Sequence, residues 1–283
     1  MRGEALLHEI KTAQVEKGCM AFWWIGQIGF IYKLASRIIY IDPYLTNDNV
    51  RIYPSVLEVE LITNADIVIG SHDHSDHIDY QTWIAIAKSS PQAMFVCPSL
   101  HVEYLSEELG IPRERFCGIK DNETKEVKGI SISGIASAHE KLDQDPETSA
   151  YPYMGYVMKA DGISLYHSGD TCNYEGLETK IKRFGTLDAV FLPINGRDSY
   201  RYTHNCMGNM TFQEAVDLAG ALCPRLAVPA HYEMHAINLG NPEKFEHYLK
   251  VKYPGVQCWV GKYGERVTIK VGEGIISDRN ACN

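Results

Sequence analysis

Between positions 72 and 77 the chain reads His72-Asp73-His74-Ser75-Asp76-His77, three imidazoles and two carboxylates in six residues. That density is a ligand pattern: borderline-soft divalent cations bind imidazole and carboxylate, and a hydrolytic centre keeps an open position for water. His72 and His74, two residues apart, can point the same way from an extended turn. Asp76 and His77 can then face a second centre a few Å away, and two ions roughly 3.5–4 Å apart suit hydrolysis. Asp170, in His167-Ser168-Gly169-Asp170-Thr171, can offer one carboxylate oxygen to each ion. His8, His101 and His247 stand alone in the sequence, and ordinary surface or core roles are expected for them.

Each candidate sits where an apolar run ends. Asp66 to Gly70 reads as a buried strand that delivers the chain into Ser71–His77, Ile130 to Ala136 leads to His139, Ile163 to Tyr166 leads to Asp170, and Leu226 to Val228 leads to His231. Strand ends hold loops on a rigid scaffold, which is where sites are usually built. Upstream, Met20 to Trp24, Gly29 to Lys33 and Arg37 to Ile41 read as a meander ending at Asp42-Pro43. Trp23 and Trp24 are expected in the core. Thr211-Phe212-Gln213-Glu214 is a capping box opening a helix with Ala215, Leu218 and Leu222 on its apolar face, and Asn241-Pro242 starts another. The tail from Gln257 to Lys270 reads as two strands joined around Gly261 to Gly264. Strands alternate with helical patterns, so sheets covered by helices are expected. No repeat, linker or composition break appears, and one domain over 1–283 is expected.

Composition narrows the function classes. The 283 residues are 45% hydrophobic and 22% charged, with a formal charge of -9 and a pI near 5.7. That field repels polyanions, so neither nucleic acid nor a membrane surface is expected as a partner. The first ten residues lack the unbroken apolar stretch of a secretory signal, and no later run is long enough to span a bilayer. Eight scattered cysteines form no CxxC pair. A cytoplasmic protein with reduced thiols is the expectation.

The HxHxDH motif, a lone downstream histidine, the aspartate of Ser168-Gly169-Asp170-Thr171 and a final histidine after a strand together resemble the metallo-β-lactamase superfamily over essentially the whole chain. The resemblance implies an α/β fold of the αβ/βα type, two mixed β-sheets packed face to face with helices outside. It implies that His72, His74 and His139 bind a first metal, that Asp76, His77 and His231 bind a second, and that Asp170 bridges them. Asp42 matches an early aspartate that orients the ligand loop. Within the superfamily, Trp23-Trp24-Ile25-Gly26, His72 to Asp79, Tyr166 to Asp170 and Asn209-Met210-Thr211 are similar to the L-ascorbate-6-phosphate lactonase group. Two divalent ions are therefore expected, zinc first and manganese second.

Other residues are expected to choose the substrate. The segment from Asn195 to Met210 is polar and glycine-punctuated and shows no regular pattern, as functional loops often do. Arg197 can hold a carboxylate or phosphate in bidentate fashion and Asn195 a sugar hydroxyl. Alternatively, Arg197 and Asp198 pin the loop through local ion pairs. His204 joins them as a substrate-binding candidate. Met207 and Met210 are expected to anchor the loop. His235 would share a face with His231 if that stretch were helical. His167 reads as a donor behind the ligands. The expected activity is hydrolysis of a small anionic metabolite, a sugar-phosphate or sugar-acid lactone first, with Asp76 and Asp170 as the catalytic carboxylates. The alternatives are a metal-dependent phosphodiesterase or nuclease on the same fold, a two-iron redox protein, and a non-catalytic metabolite-binding protein. A redox site of this fold carries glutamate where His74 stands, which favours hydrolysis. A homo-oligomer is compatible with the sequence.

Overall fold

In the first strand, β1 (Cys19–Gly26), alternate residues enter different cores: Met20, Phe22 and Trp24 lie in one buried cluster and Ala21, Trp23 and Ile25 in another. Side chains of a strand alternate between faces, so a strand buried on both sides reads as an unbroken apolar run. The same split recurs in β2 (Gly29–Leu34), β3 (Arg37–Ile41) and β4 (Ile67–Ile69). Trp23 and Trp24 are core residues, as expected.

The computed structural model describes residues 1–276, which form two mixed sheets. The first sheet continues through β5 (Met94–Pro98) and β6 (Phe116–Ile119). The second contains β7 (Thr124–Val127), β8 (Ile130–Ala136), β9 (Met154–Ala160), β10 (Ile163–His167), β11 (Ala189–Pro193), β12 (Leu226–Ala230) and β13 (Gln257–Cys258). The chain then returns to the first sheet as β14 (Arg266–Lys270) and β15 (Gly274–Ile276). Strand order is 15-14-1-2-3-4-5-6 in one sheet and 13-12-11-10-9-8-7 in the other. Each sheet begins as an antiparallel meander and switches to parallel pairing, at β3/β4 in the first and β10/β11 in the second. The loops bearing His72–His77, Asp170 and His231 follow strands at or beside these switches, the usual place for a site in an open α/β sheet.

Helices cover the outer faces. Those on the first sheet are α1 (Gly3–Thr12), α2 (Tyr80–Ser89) and α3 (Val102–Leu109), whose Leu6, Ile10, Trp83, Ile86 and Leu105 join the outer cluster. Lys33 docks α1 by donating from Nζ to Ile10 O and Lys11 O, both at 2.8 Å, satisfying carbonyls that the helix end leaves free. On the second sheet lie α4 (Leu177–Lys182), α6 (Phe212–Leu222) and α7 (Pro242–Lys252), with a short α5 (Ser199–Thr203) near the loop ends. Both predicted helix starts are present: Thr211 and Glu214 close the capping box, and Asn241 caps a helix with proline in its first turn. Between the sheets, Phe191 of β11 meets Phe22 at 5.3 Å, Phe30 at 4.7 Å and Tyr32 at 5.1 Å, ring to ring. Such buried aromatic contacts contribute beyond their area.

The two tail strands are present as expected, but in different sheets: β13 pairs parallel with β12 in the second while β14 pairs antiparallel with β1 in the first. After α7 a right place exists beside β12 for a short parallel strand, and Trp259 to Glu265 then carries the chain across. One expectation needs correction: residues 195–210 are not patternless, since Asp198 caps α5 through Arg201 N. Seven cysteines are free among the described residues, and Cys282 lies outside them. No helix among those residues is long and apolar enough to cross a membrane.

Candidate metal centre

The ligand loop owes its shape to Asp42. This fully buried residue ends β3 in the left-handed region at φ 43°, and its Oδ1 accepts from Ser71 N at 2.7 Å. Its Oδ2 lies 3.0 Å from His77 Nδ1. A carboxylate there takes the Nδ1 proton and leaves the Nε2 lone pair free to face inward, which is how ligating histidines are usually fixed. Ser71 Oγ sits between His72 Nδ1 (3.0 Å) and His77 Nδ1 (3.1 Å). Past the loop, Asp79 caps α2 and also accepts from Leu45 N, Thr46 N and Thr46 Oγ1, tying the two segments together.

Asp170 arrives from the other sheet. His167 holds the turn before it, donating from Nε2 to Ile28 O at 2.8 Å and accepting from Gly169 N at Nδ1. It organises the loop through backbone groups and donates to no ligand side chain. Gly169 has φ 56°, and a Cβ on it would meet Ser71 Cβ at 2.6 Å and Met154 O at 2.8 Å. Only glycine lets the two loops approach this closely.

The structure brings all seven expected ligands together. His72, His74 and His139 form one group, and Asp76, His77 and His231 a second. His72, His77 and Asp170 form a third, the ligand atoms within each group lying within 4.8 Å of one another. His231 Nε2 is 3.2 Å from Asp170 Oδ2 and 3.5 Å from Asp76 Oδ2, while His77 Nε2 is 3.5 Å from Asp170 Oδ1. Five of the seven, His72, His77, His139, Asp170 and His231, are buried. Yet His77 Nε2, His139 Nδ1, His231 Nε2 and Asp170 Oδ1 have no hydrogen-bond partner. Buried polar atoms are almost always partnered, so His77 Nε2, His231 Nε2 and Asp170 Oδ1, orphaned and converging, fit a divalent cation.

Electrostatics divides the cluster in two. Burial above all holds His72, His74 and His139 below their ordinary range, so these imidazoles are neutral lone-pair donors. Burial opposes charge on Asp76 and Asp170 as well, but His77 and His231 outweigh it and keep both carboxyls well below the usual range. In return, and again against burial, Asp170 and Asp76 raise His77 well above its ordinary value and His231 to about 9. Protons alone therefore make this half two imidazolium–carboxylate pairs. A dication competes for the same atoms and displaces those protons.

The ligand groups open into a cavity of about 420 Å³. His204 and His235 line it, with Tyr44, Met207 and Asn238. His235 does not share a helix face with His231, since it precedes a single 3-10 turn, but its Nε2 still comes within 3.9 Å of Asp76 Oδ2. Met207 is exposed rather than an anchor, whereas Met210 is fully buried. Arg197 and Asn195 do not line the cavity. Arg197 makes a two-pronged ion pair with Glu214, at 2.7 and 2.8 Å, and donates to Asn209 O at 3.0 Å. Its fork is already filled, so it pins the loop to the start of α6 instead of awaiting an anion. Asn195 is buried in an amide network with Asn238 and Asn209, where a substrate hydroxyl has no access.

Sequence reasoning missed Gln27. It sits at φ 55° in the turn between β1 and β2, donates from Nε2 to Asp76 Oδ2 at 2.7 Å, and its carbonyl accepts from His231 N. A glutamine in a glycine-flanked turn has no chemical signature of its own; only the fold brings it 49 positions along the chain to Asp76.

Comparison with known proteins agrees with this geometry. The model of the β-lactamase superfamily domain matches residues 37–232. A UPF0173 metal-dependent hydrolase of Thermococcus onnurineus is 30% identical, covering 88% of this chain and 96% of that protein. A Salmonella choleraesuis protein described as a probable L-ascorbate-6-phosphate lactonase, UlaG, is 25% identical over 88% of this chain and 80% of its own length. Among solved structures, the metallo hydrolase Igni18 of Ignicoccus hospitalis superposes with a TM-score of 0.70 at 22% identity, covering 89% of this chain and 99% of that one. Two mixed sheets with helices outside, ligand loops at the strand ends and these matches all agree: the chain belongs to the metallo-β-lactamase superfamily, among its metal-dependent hydrolases.

Proposed function

We propose that this protein is a dinuclear hydrolase that opens an ester-like bond, a lactone first, in a small polar metabolite. The observation that carries the reading is the convergence of the seven ligand side chains, a neutral imidazole triad beside a carboxylate-rich half in which His77 Nε2, His231 Nε2 and Asp170 Oδ1 are buried without partners. His72, His74 and His139 would hold one cation, Asp76, His77 and His231 the other, and Asp170 would contact both. Zinc suits this mixed ligation best and manganese next. Such a pair of cations supplies Lewis acidity and a water-derived nucleophile at neutral pH.

The chain's own groups then divide the work. Asp76 stands at the cavity wall with one oxygen fixed by Gln27 Nε2, so its carboxylate is held in one orientation, able to take a proton and return it to a leaving alkoxide. His235 and His204 offer imidazole donors on the cavity side of the ligands and would hold the substrate's polar substituents. An anionic substituent would have to be met by these imidazoles and by the cations, because Arg197 is engaged by Glu214. The similarity to a lactonase of a sugar phosphate supports a lactone as the first substrate class to try. Phosphodiester cleavage is the second reading, since paired cations serve it equally well; the charge of -9 weighs against nucleic acid. We further propose a cytoplasmic setting, and leave a homo-oligomer as compatible.

The test is a turnover screen of metal-reconstituted protein against sugar-phosphate lactones, neutral lactones and phosphodiesters. Lactone opening that disappears on chelation and returns with added zinc or manganese is the expected result. Phosphodiester cleavage without lactone opening would transfer the assignment to the second reading.

A further inference from the structure

His77 and His231 stack in the same half of the centre, with ring centroids 5.5 Å apart and planes within 19°, yet their outer nitrogens meet different partners. Nδ1 of His77 faces a carboxylate, Asp42. Nδ1 of His231 faces a neutral amide, Asn238 Nδ2, at 3.5 Å. Behind it runs a chain of buried amides: Asn195 Nδ2 lies 2.6 Å from Asn238 Oδ1, and Asn209 Nδ2 lies 3.2 Å from Asn195 Oδ1. The three asparagines come from three loops, just past β11, just before α6 and in the 3-10 turn at 236–238.

Read in that direction, every amide gives its proton toward the ring, and the chain ends on a lone pair at His231 Nδ1. The oxygen of Asn209 at the far end is left buried without a partner. This polarity is wrong for a ligand. A neutral imidazole carries one proton, and if Nδ1 accepts, the proton sits on Nε2, the atom that faces Asp170 and Asp76. Nitrogen and oxygen of a side-chain amide occupy interchangeable places, so the heavy-atom positions allow the opposite polarity equally well.

We propose that Asn238, Asn195 and Asn209 are a positioning relay whose reversed polarity selects the ligating tautomer of His231. With all three amides turned, His231 Nδ1–H donates to Asn238 Oδ1, Asn238 Nδ2 to Asn195 Oδ1, and Asn195 Nδ2 to Asn209 Oδ1. The reversal gives the Asn209 oxygen a donor, places its amide nitrogen where that oxygen stood, and frees Nε2 to give its lone pair to a cation. His77 is fixed by a charge, whereas His231 is fixed by a chain of neutral groups that can point either way. Affinity for the cation held by Asp76, His77 and His231 is therefore set through residues that ligate neither ion.

This inference rests on the dinuclear reading, and the experiment separates the two. Wild type, Asn195→Leu and Asn195→Asp are loaded with zinc and dialysed. Zinc content and release to a competing chelator are then measured, with folding checked by circular dichroism. The ring tautomer of His231 is read by ¹⁵N NMR in zinc-loaded wild type. Expected are two zinc ions in wild type with the proton on Nδ1, and about 10–100-fold weaker retention of one ion in Asn195→Leu, the usual cost of losing an outer-shell partner. Asn195→Asp can only accept, which holds the Asn238 amide with its oxygen toward His231, so it should keep both ions as wild type does. A wild type that retains fewer than two ions overturns the dinuclear reading and the relay with it. Two ions in wild type with His231 protonated on Nε2, equal retention by Asn195→Leu, or a loss in Asn195→Asp as large as in Asn195→Leu overturns the relay alone.

Discussion

The loop at 71–77 and the segment at 195–210 follow buried strands, β4 and β11, and both are crowded with polar residues that invite a chemical role. Their side chains meet largely opposite fates, Arg201 Nε and Asn209 Oδ1 in the second being unpartnered exceptions. In and around the first, His77 Nε2, His231 Nε2 and Asp170 Oδ1 are buried and converge without partners. In the second, Arg197 is clamped by Glu214, Arg201 pairs with Asp198 and donates to Leu239 O at 2.8 Å, and Asn195 is bonded on both sides. Satisfied polar groups hold a loop in place. Buried unsatisfied ones that converge are waiting for something the protein does not itself provide.

Removing the shared carboxylate should break this contrast most severely. Asp170→Ala leaves His77 and His231 without the carboxylate nearest both, so both ions should loosen and turnover should fall by more than the roughly 10–100-fold seen when an outer-shell partner is lost. Elemental analysis and kinetics on the substrate found in the screen provide the check, and retention of both ions at wild-type turnover would mean that Asp170 does not join them.

Asp42→Asn comes next. One amide oxygen can still accept from Ser71 N, but the NH₂ then faces His77 Nδ1 and drives the proton to Nε2, the atom needed for the cation. Metal affinity should drop by about 10–100-fold with the fold retained, readable by chelator competition and thermal melting. Gly169→Ala tests the approach of the two loops: with φ 56° and Ser71 Cβ 2.6 Å away, it should cost about 1–3 kcal/mol in a denaturation titration and displace Asp170.

The smallest effect is expected in the second loop. Arg197→Ala should leave KM for anionic and neutral substrates unchanged and cost about 0.5–1 kcal/mol, since the pair is partly exposed. Although burial works against it, Arg197 holds the Glu214 carboxyl below its ordinary value. That stabilisation is present above the unfolded carboxyl's pKa, about 4.3, and is lost as pH falls through the lower folded value. The variant should therefore be closer in stability to wild type at pH 3 than at pH 7. A rise in KM confined to anionic substrates would restore the anchoring role expected from the sequence.

Legibility followed the same division. The ligand motif could be read because residue type and spacing carry it, and the strands ahead of it because burial on both faces leaves an unbroken apolar run. Asp42 was visible only through resemblance, as a lone aspartate before proline has no pattern of its own. Gln27, Asn238 and Asn209 escaped because their roles depend on tertiary neighbours. Arg197 misled because a guanidinium's fork fits Glu214 seventeen residues on as well as it fits a substrate anion. The tail strands were placed correctly along the chain, but their division between the two sheets was not legible, because local sequence says nothing about which sheet edge is free.

The central claim is that seven side chains from four loops hold two divalent cations. Anomalous diffraction from crystals of zinc-reconstituted protein, collected on both sides of the zinc absorption edge, addresses it most directly. The account predicts two zinc peaks per chain, one enclosed by His72, His74 and His139 and the other by Asp76, His77 and His231, with Asp170 touching both. A single peak, or peaks that leave His139 or His231 without a cation, would contradict it.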